Sequence, residues 1–144
     1  MMFNVDNISI YNYLMCTIYT DVKGVGEMIK SEITDPRINT VTQKVFNVAK
    51  ATLGERLDKV ILFGSYARGD FDVDSDVDIF VLADVPQEET NRWSNSIDDQ
   101  LPDFLYDYEL LVCIHLTSKE LFNRYYHVQP YYQNVIREGV ELHG

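Results

Sequence analysis

The chain has 144 residues, of which 46% are hydrophobic and 24% are charged. This length and composition fit one globular domain and exclude a disordered, collagen-like or low-complexity chain. The sequence contains 12 Lys and Arg residues against 23 Asp and Glu residues, which gives a net charge of −11. That charge opposes direct binding to nucleic acid and favours hard cations such as Mg²⁺.

The N-terminal part of the chain predicts neither a membrane segment nor a secretory signal. Its most apolar stretch, residues 8–19, is too short to span a bilayer, and the first basic residue is Lys23. Two cysteines, Cys16 and Cys113, are too few for a disulfide scaffold. We therefore expect a reduced, cytoplasmic setting and no contact with a membrane.

A boundary is predicted at residues 23–27, where two glycines stand between charged residues. We expect an N-terminal extension over residues 1–27 and a single domain over residues 28–144. The sequence leaves open whether the extension is ordered and whether it belongs to the natural protein.

Taken in chain order, the sequence first predicts a helix and then two strands. From residue 40 to residue 57, apolar residues recur every three or four positions after the start signal Asp35, which is typical of an amphipathic helix. The apolar run 59–63 and the segment 76–82 each predict a strand. Because the connection between them is too short for a helical crossover, we expect these strands to pair antiparallel.

The C-terminal half adds one strand and three helices. They are a helix over 87–101, a third strand over 106–116, and helices over 118–126 and 130–139. This mixture predicts an α/β fold of the α+β kind, with helices packed on a small mixed β-sheet.

Two aspartates stand at the start of the second predicted strand. Asp76 and Asp78 are two residues apart, so an extended chain projects both from one face with Cα atoms about 6.6–6.8 Å apart. Without a partner they would repel each other beside an apolar run, and a divalent cation relieves that cost. Such a pair predicts a two-Mg²⁺ site that clamps a triphosphate.

A glycine–serine corner ends the first predicted strand. Gly64 allows a close approach of phosphate to the backbone, Ser65 adds a hydroxyl, and Arg68 offers a forked donor to phosphate oxygens or to one of the aspartates. An Asp-x-Asp pair alone is also typical of a solvated sheet face. Its combination with this corner favours nucleoside triphosphate chemistry.

These residues carry a resemblance to a known family. Gly-Ser, ten residues, and then Asp-x-Asp is similar to the signature of the DNA-polymerase-β-type nucleotidyltransferases. Gly-Ser-Tyr-Ala-Arg-Gly followed by Ser-Asp-Val-Asp-Ile resembles their smallest members, the minimal nucleotidyltransferases. The resemblance implies the polymerase-β-type fold, with the triphosphate bound by Gly64 and Ser65 and two Mg²⁺ ions bound by Asp76 and Asp78.

The family also has a third carboxylate on a later strand, which the resemblance implies is catalytic and binds metal. Asp107 and Glu109 share a face by parity if residues 106–116 form a strand, so alternation leaves both open. Glu109 is preferred because it directly precedes an apolar run, as Asp78 does.

The resemblance implies that AMP passes from ATP to a hydroxyl with release of pyrophosphate. Minimal nucleotidyltransferases are typically partnered with HEPN-type RNase toxins, so the resemblance further implies a hetero-oligomer in which the chain is an antitoxin that adenylylates a toxin tyrosine. Two alternatives remain: a small-molecule nucleotidyltransferase of the aminoglycoside type, and a non-catalytic antitoxin that acts by binding. The acceptor, the nucleotide preference and the stoichiometry are not encoded in a motif.

The other candidate residues point to structure rather than chemistry. The three histidines, His115 among them, show no ligand spacing with one another or with a cysteine, which argues against a zinc site. Cys113 stands in an apolar run and is predicted to be a buried thiol.

Overall fold

The structure is a computed structural model and describes residues 35–143. Its helices are α1 Pro36–Leu53, α2 Ser65–Arg68, α3 Thr90–Asp98, α4 Phe104–Tyr108, α5 Lys119–Tyr125 and α6 Pro130–Glu138. Its strands are β1 Leu57–Phe63, β2 Val77–Ala83, β3 Val112–Ser118 and β4 Val140–Glu141. Short 3₁₀ turns at Gly54–Arg56 and Gln87–Glu89 precede β1 and α3.

The four strands form one mixed sheet in the order β3-β2-β1-β4. Strand β1 pairs antiparallel with both β2 and β4, whereas β2 and β3 are parallel. The fold class and the antiparallel pairing of the first two strands are therefore confirmed. The two-residue strand β4 was not predicted, because so short a segment carries no periodic signal.

Helix α1 begins and ends at residues that are typical of helix caps. The Asp35 carboxylate accepts a hydrogen bond from the Arg37 backbone N–H at 2.9 Å, and Pro36 occupies the first turn, where its missing N–H costs nothing. Gly54 ends the helix at φ 57°, a conformation that favours glycine. The predicted helix is confirmed, and so is its start signal at Asp35.

One face of the sheet, here called the core face, is covered by α1 and α3. Because strand side chains alternate, every second residue of β1 and β2 points to this face. They meet the apolar stripe of α1 and Ile97 of α3 in one cluster of buried residues that includes Ile38, Val41, Val45, Val60, Leu62, Val77, Ile79 and Val81. This cluster contains most of the buried hydrophobic residues of the described chain.

The opposite face, here called the aromatic face, lies against α5 and α6. Phe80 of β2 is fully buried there, with ring centroids 5.7 Å from Phe122 and 6.2 Å from both Tyr131 and Tyr132. Edge-to-face and tilted arrangements of this kind are favourable for aromatic rings. Helices at Ser118 and Pro130 were predicted from their start signals, and both are confirmed.

The predicted strand over 106–116 is wrong in its first half. Residues Phe104–Tyr108 form the short helix α4, and β3 begins only at Val112. The Asp103 carboxylate caps this helix by accepting from the Tyr106 backbone N–H at 3.0 Å. This local cap outweighs the strand preference of the tyrosines, which is a weak and context-dependent signal.

The predicted boundary at residues 27 and 28, and the extension before it, lie outside the described residues. Residues 35–143 belong to one compact unit. Within that range, no helix combines the length and the apolar character needed to cross a membrane.

Candidate functional site

The first part of the site is the corner at which β1 ends. Phe63, the last residue of β1, is paired with Asp78 of β2, and Gly64 follows at φ 76°. A Cβ at Gly64 would lie 2.7 Å from Asp78 Oδ2, closer than real Cβ contacts allow. The backbone angles of Gly64, φ 76° with ψ −156°, favour glycine, and a Cβ there would have to displace the Asp78 carboxylate, so the corner lies directly against that carboxylate.

The two predicted aspartates stand at the start of β2 on the aromatic face. Asp78 is the second residue of the strand and its side chain is 30% exposed, whereas Asp76 directly precedes the strand and is exposed. Cys113 is paired with Asp78 across the parallel ladder between β2 and β3. Burial raises the pKa of the Cys113 thiol, and the negative charges of Asp76 and Asp78 raise it further.

Two residues that the sequence did not single out as site residues surround Asp78. His115 Nε2 lies 3.4 Å from Asp78 Oδ1, and the His115 ring is 5.4 Å from the Phe63 ring. Tyr131, at the start of α6, lies 5.8 Å from the same phenylalanine. Burial, followed by the negative charge of Asp78, raises the pKa of Tyr131 to about 12.

Topology explains why His115 and Tyr131 were missed. His115 is two residues beyond Cys113 on a strand, and therefore on the same face, but only the parallel register of β3 with β2 brings that face beside Asp78. Tyr131 comes from a helix more than fifty residues later in the sequence. The alternation along β3 was a usable signal, whereas the approach of α6 was not visible in any local pattern.

Ser65 and Arg68 belong to the one-turn helix α2, which follows the corner. Arg68 Nε lies 3.2 Å from Asp70 Oδ2, and its Nη1 lies 3.1 Å from Glu138 Oε2 at the end of α6. These carboxylates, Asp70 first, raise the pKa of Arg68. In this structure the guanidinium joins α2 to α6, and its predicted contact with phosphate stays a prediction.

Glu109 lies at the end of α4 and not on a strand. It is exposed and its φ is 57°. The hydrogen bond from Arg37 to Asp35 raises the pKa of Arg37, and the charge of Glu109 adds a smaller effect in the same direction. Arg37 also donates through Nη1 to the Tyr108 carbonyl at 2.9 Å. The parity argument for Asp107 and Glu109 falls with the strand, because Asp107 is within α4. Among residues 35–143, no three acidic, His or Cys side chains converge into a metal cluster.

The residues present fit Mg²⁺ held jointly with a nucleotide. Mg²⁺ in proteins is usually bound through one or two carboxylates together with substrate phosphates and water, so it does not require a third protein ligand. Asp78 and Asp76 supply carboxylate oxygens, and Gly64 leaves beside Asp78 the space that a Cβ would fill. The donor set is chemically suited to a hard cation.

Comparison with known proteins agrees with this chemistry. A sequence profile described as "Nucleotidyltransferase domain" matches residues 44–139. A Methanocaldococcus jannaschii protein named "Putative protein adenylyltransferase MJ0604" is 34% identical over 97 residues, which cover 67% of this chain and 89% of that protein. A second protein of that organism, "Putative protein adenylyltransferase MJ0141", is 67% identical over 30 residues, 21% of this chain and 30% of its own length.

One solved structure is also similar to this chain. It is described as a crystal structure of a "putative nucleotidyltransferase" from Sulfolobus solfataricus. The match has a TM-score of 0.40 and 16% sequence identity, and it covers 75% of this chain and 87% of that one. The family assignment rests on the sequence matches alone.

Proposed function

The chain belongs to the nucleotidyltransferase domain family, and from that premise we propose that it transfers AMP from ATP to a hydroxyl of a partner protein with Mg²⁺ as cofactor. The observation that carries the proposal is the contact between the glycine corner and the Asp78 carboxylate. It supports a phosphate site and a cation site that are immediate neighbours, as transfer from a triphosphate requires.

The chain's own residues have distinct roles in this reaction. Gly64 and Ser65 bind the phosphates of ATP, while Asp76 and Asp78 hold Mg²⁺, which supplies charge stabilisation to the transferring phosphoryl group. The acceptor oxygen bonds to the α-phosphorus, the bond from that phosphorus to the bridging oxygen breaks, and pyrophosphate leaves. The hydroxyl proton passes to water, so atoms and charge balance. The proposal does not require Glu109.

A protein acceptor is favoured by the relatives. Both Methanocaldococcus jannaschii proteins carry the name of a protein adenylyltransferase, and the similarity to the first covers most of its length. Within the proposal, the acceptor is a tyrosine of a HEPN-type toxin, and the chain is the antitoxin of that pair. The chain's net charge of −11 is consistent with a protein partner rather than direct binding to nucleic acid.

The direct test is transfer of labelled AMP. The purified chain is incubated with Mg²⁺, ATP radiolabelled at the α-phosphate and a purified HEPN-type protein. We expect label on the partner, and we expect Asp78→Asn to reduce the rate by at least about a hundredfold, because a metal-binding carboxylate acts on the transition state.

The matched control is Asp74→Asn in the exposed loop before β2, where the same charge is removed and transfer should persist. Equal labelling by wild type and Asp78→Asn would refute the enzymatic proposal. Unchanged neutralisation of the toxin by Asp78→Asn would instead favour an antitoxin that acts by binding alone.

A further inference from the structure

The outer side of β3 borders a cleft. Strand β3 is at one edge of the sheet, and a cleft of about 460 Å³ runs along residues 114–117 between α3 and the start of α6. From α3 the cleft is lined by Asn91 and Ser94, and from α6 by Tyr131. The volume is within the range of ligand sites in proteins.

The cleft exposes backbone groups that have no partner in the described chain. The Val77 N–H donates to the Leu111 carbonyl at 2.8 Å, which sets the alternation of the parallel ladder between β2 and β3. The backbone groups of Cys113, His115 and Thr117 therefore point to β2, and those of Ile114 and Leu116 point into the cleft. Within residues 35–143 no hydrogen bond reaches those outward groups.

The same cleft is lined by two side chains that neighbour Asp78. His115 and Tyr131 line it, His115 Nε2 is 3.4 Å from Asp78 Oδ1, and Tyr131 senses the Asp78 charge. A molecule that lies along the edge of β3 is therefore directed to the carboxylate at which transfer is proposed. The cleft approaches Asp78 from the β3 side of β2, whereas the glycine corner lies on the β1 side.

We propose that the cleft along β3 binds an extended polypeptide segment of the acceptor, which adds to the edge of the sheet and presents its hydroxyl side chain beside His115 to the site at Asp78. The inference rests on the proposed function, because it names how the acceptor is held. Alternating N–H and C=O groups spaced along a strand are matched by another polypeptide backbone.

The cleft lining supports a peptide over a charged ligand. The described side chains that line it are uncharged apart from His115, whose charge depends on protonation. Asn91 and Ser94 make no side-chain hydrogen bond within residues 35–143, so both are available to the incoming segment. A segment with a central tyrosine, serine or threonine satisfies these groups and supplies the reacting oxygen.

The test uses short synthetic peptides with a central tyrosine, serine or threonine, together with Mg²⁺ and labelled ATP. Ser94→Arg places a long side chain in the cleft, and Leu116→Pro removes one outward N–H at an edge position where proline is tolerated. Each is expected to lower kcat/KM for the peptide by about tenfold. The matched control is Asn95→Arg, which adds the same charge on α3 at a residue outside the cleft lining.

Binding of Mg²⁺ and ATP, measured separately, distinguishes the two proposals. Wild type that fails to bind nucleotide overturns the proposed function, whereas variants that bind nucleotide normally but lose peptide labelling support the cleft. Leu116→Pro counts in the test only if it still binds nucleotide. If it does not, Ser94→Arg carries the test alone. Normal peptide labelling by Ser94→Arg, or labelling of hydroxylated small molecules but of no peptide, overturns the cleft proposal.

Hydrogen exchange gives a readout that activity does not. When a peptide that accepts AMP in the transfer assay is added, the Ile114 and Leu116 amides should exchange at least about tenfold more slowly than in the free protein, since they gain hydrogen-bond partners. Amides of β4, at the other edge of the sheet, serve as the internal control. Equal protection at both edges, or at neither, would contradict the inference.

Discussion

The two faces of the sheet differ in what the same strands do. On β2, Ile79 and Val81 point to the core face and are fully buried, whereas Asp78 and Phe80 point to the aromatic face. There Phe80 is buried, but the Asp78 side chain remains 30% exposed and contacts the half-exposed His115. Because side chains alternate along a strand, the site residue Asp78 and the core residue Ile79 are neighbours in sequence but lie on opposite faces of the sheet.

The comparison shows how a small domain accommodates a polar site. Each fully buried aliphatic side chain of the core face contributes about 1.5–3 kcal/mol relative to exposure. That contribution offsets the cost of leaving carboxylates next to apolar residues on the opposite face. We therefore expect substitutions on the core face to lower the free energy of unfolding and substitutions at the site on the aromatic face to lower AMP transfer.

The largest expected effect is on stability and arises at the core face. Ile79→Ala, at a residue that is 0% exposed, should lower the free energy of unfolding by about 2–5 kcal/mol, because it removes packed methyl groups and leaves a cavity. His115→Ala on the aromatic face should lower it by less than about 1 kcal/mol. Denaturant unfolding measures both, and equal losses would show that the faces do not divide these roles.

The glycines offer a matched pair at the corner and away from it. Gly64→Ala and Gly69→Ala both place alanine at positive φ. Gly69 is in the left-handed helical region, where alanine should cost about 1–2 kcal/mol of stability, and Gly64, at ψ −156°, lies outside that region and should cost more. Only Gly64 would bring a Cβ against Asp78, since nothing lies within 4 Å of a Cβ at Gly69. AMP transfer should fall by at least about tenfold in Gly64→Ala alone. Comparable losses of transfer in both variants would remove the corner from the site.

The aromatic face should also show a specific alkaline response. Because burial and the Asp78 charge favour the neutral phenol of Tyr131, its pKa in the folded state is about 12 against an ordinary value of 10.0. The stability linked to this group is complete below pH 10 and is lost as pH rises toward about 12. Tyr131→Phe should reduce the fall in Tm over that range, and Tyr106→Phe, at an exposed residue, should not. An unaltered fall in Tyr131→Phe would contradict this environment for Tyr131.

The smallest expected effect concerns Arg68. If its guanidinium contacts phosphate, Arg68→Ala should raise the Kd for Mg²⁺-ATP by about fivefold. Glu138→Gln removes the ion pair to α6 but leaves the guanidinium, so ATP affinity should be unchanged or slightly higher. Both variants should alter Tm very little, since exposed ion pairs contribute little. Equal loss of affinity in the two variants would assign Arg68 to holding α6.

The sequence predicted those parts of the fold that have local signals. The cap at Asp35, the apolar run of β1, and the proline in the first turn of α6 each act within a few residues. The segment before β3 was misassigned because the cap at Asp103 competes with tyrosines of high strand preference, and their balance depends on tertiary context.

The site was predictable only where its residues are close in sequence. Gly64 directly follows β1, and Asp78 lies on the adjacent strand β2, so their meeting follows from antiparallel pairing across a short connection. The neighbours His115 and Tyr131 depend on a parallel register and on the docking of a later helix. Alternation along β3 places His115 on the same face as Cys113, but no local pattern shows that this face lies beside Asp78 or that α6 docks there. Glu109 is at the end of α4 because the cap at Asp103 forms a helix where a strand was predicted.

The most direct test of the central claim is to locate nucleotide on the protein. Mg²⁺ and ATP are titrated into the isotope-labelled chain while backbone amide NMR signals are followed. The account predicts saturable shifts at Gly64, Ser65 and Asp78, unchanged signals at Val41 and Val45 beneath the core face, and loss of the shifts in Asp78→Asn. Shifts confined to other regions, or full binding by Asp78→Asn, would contradict it.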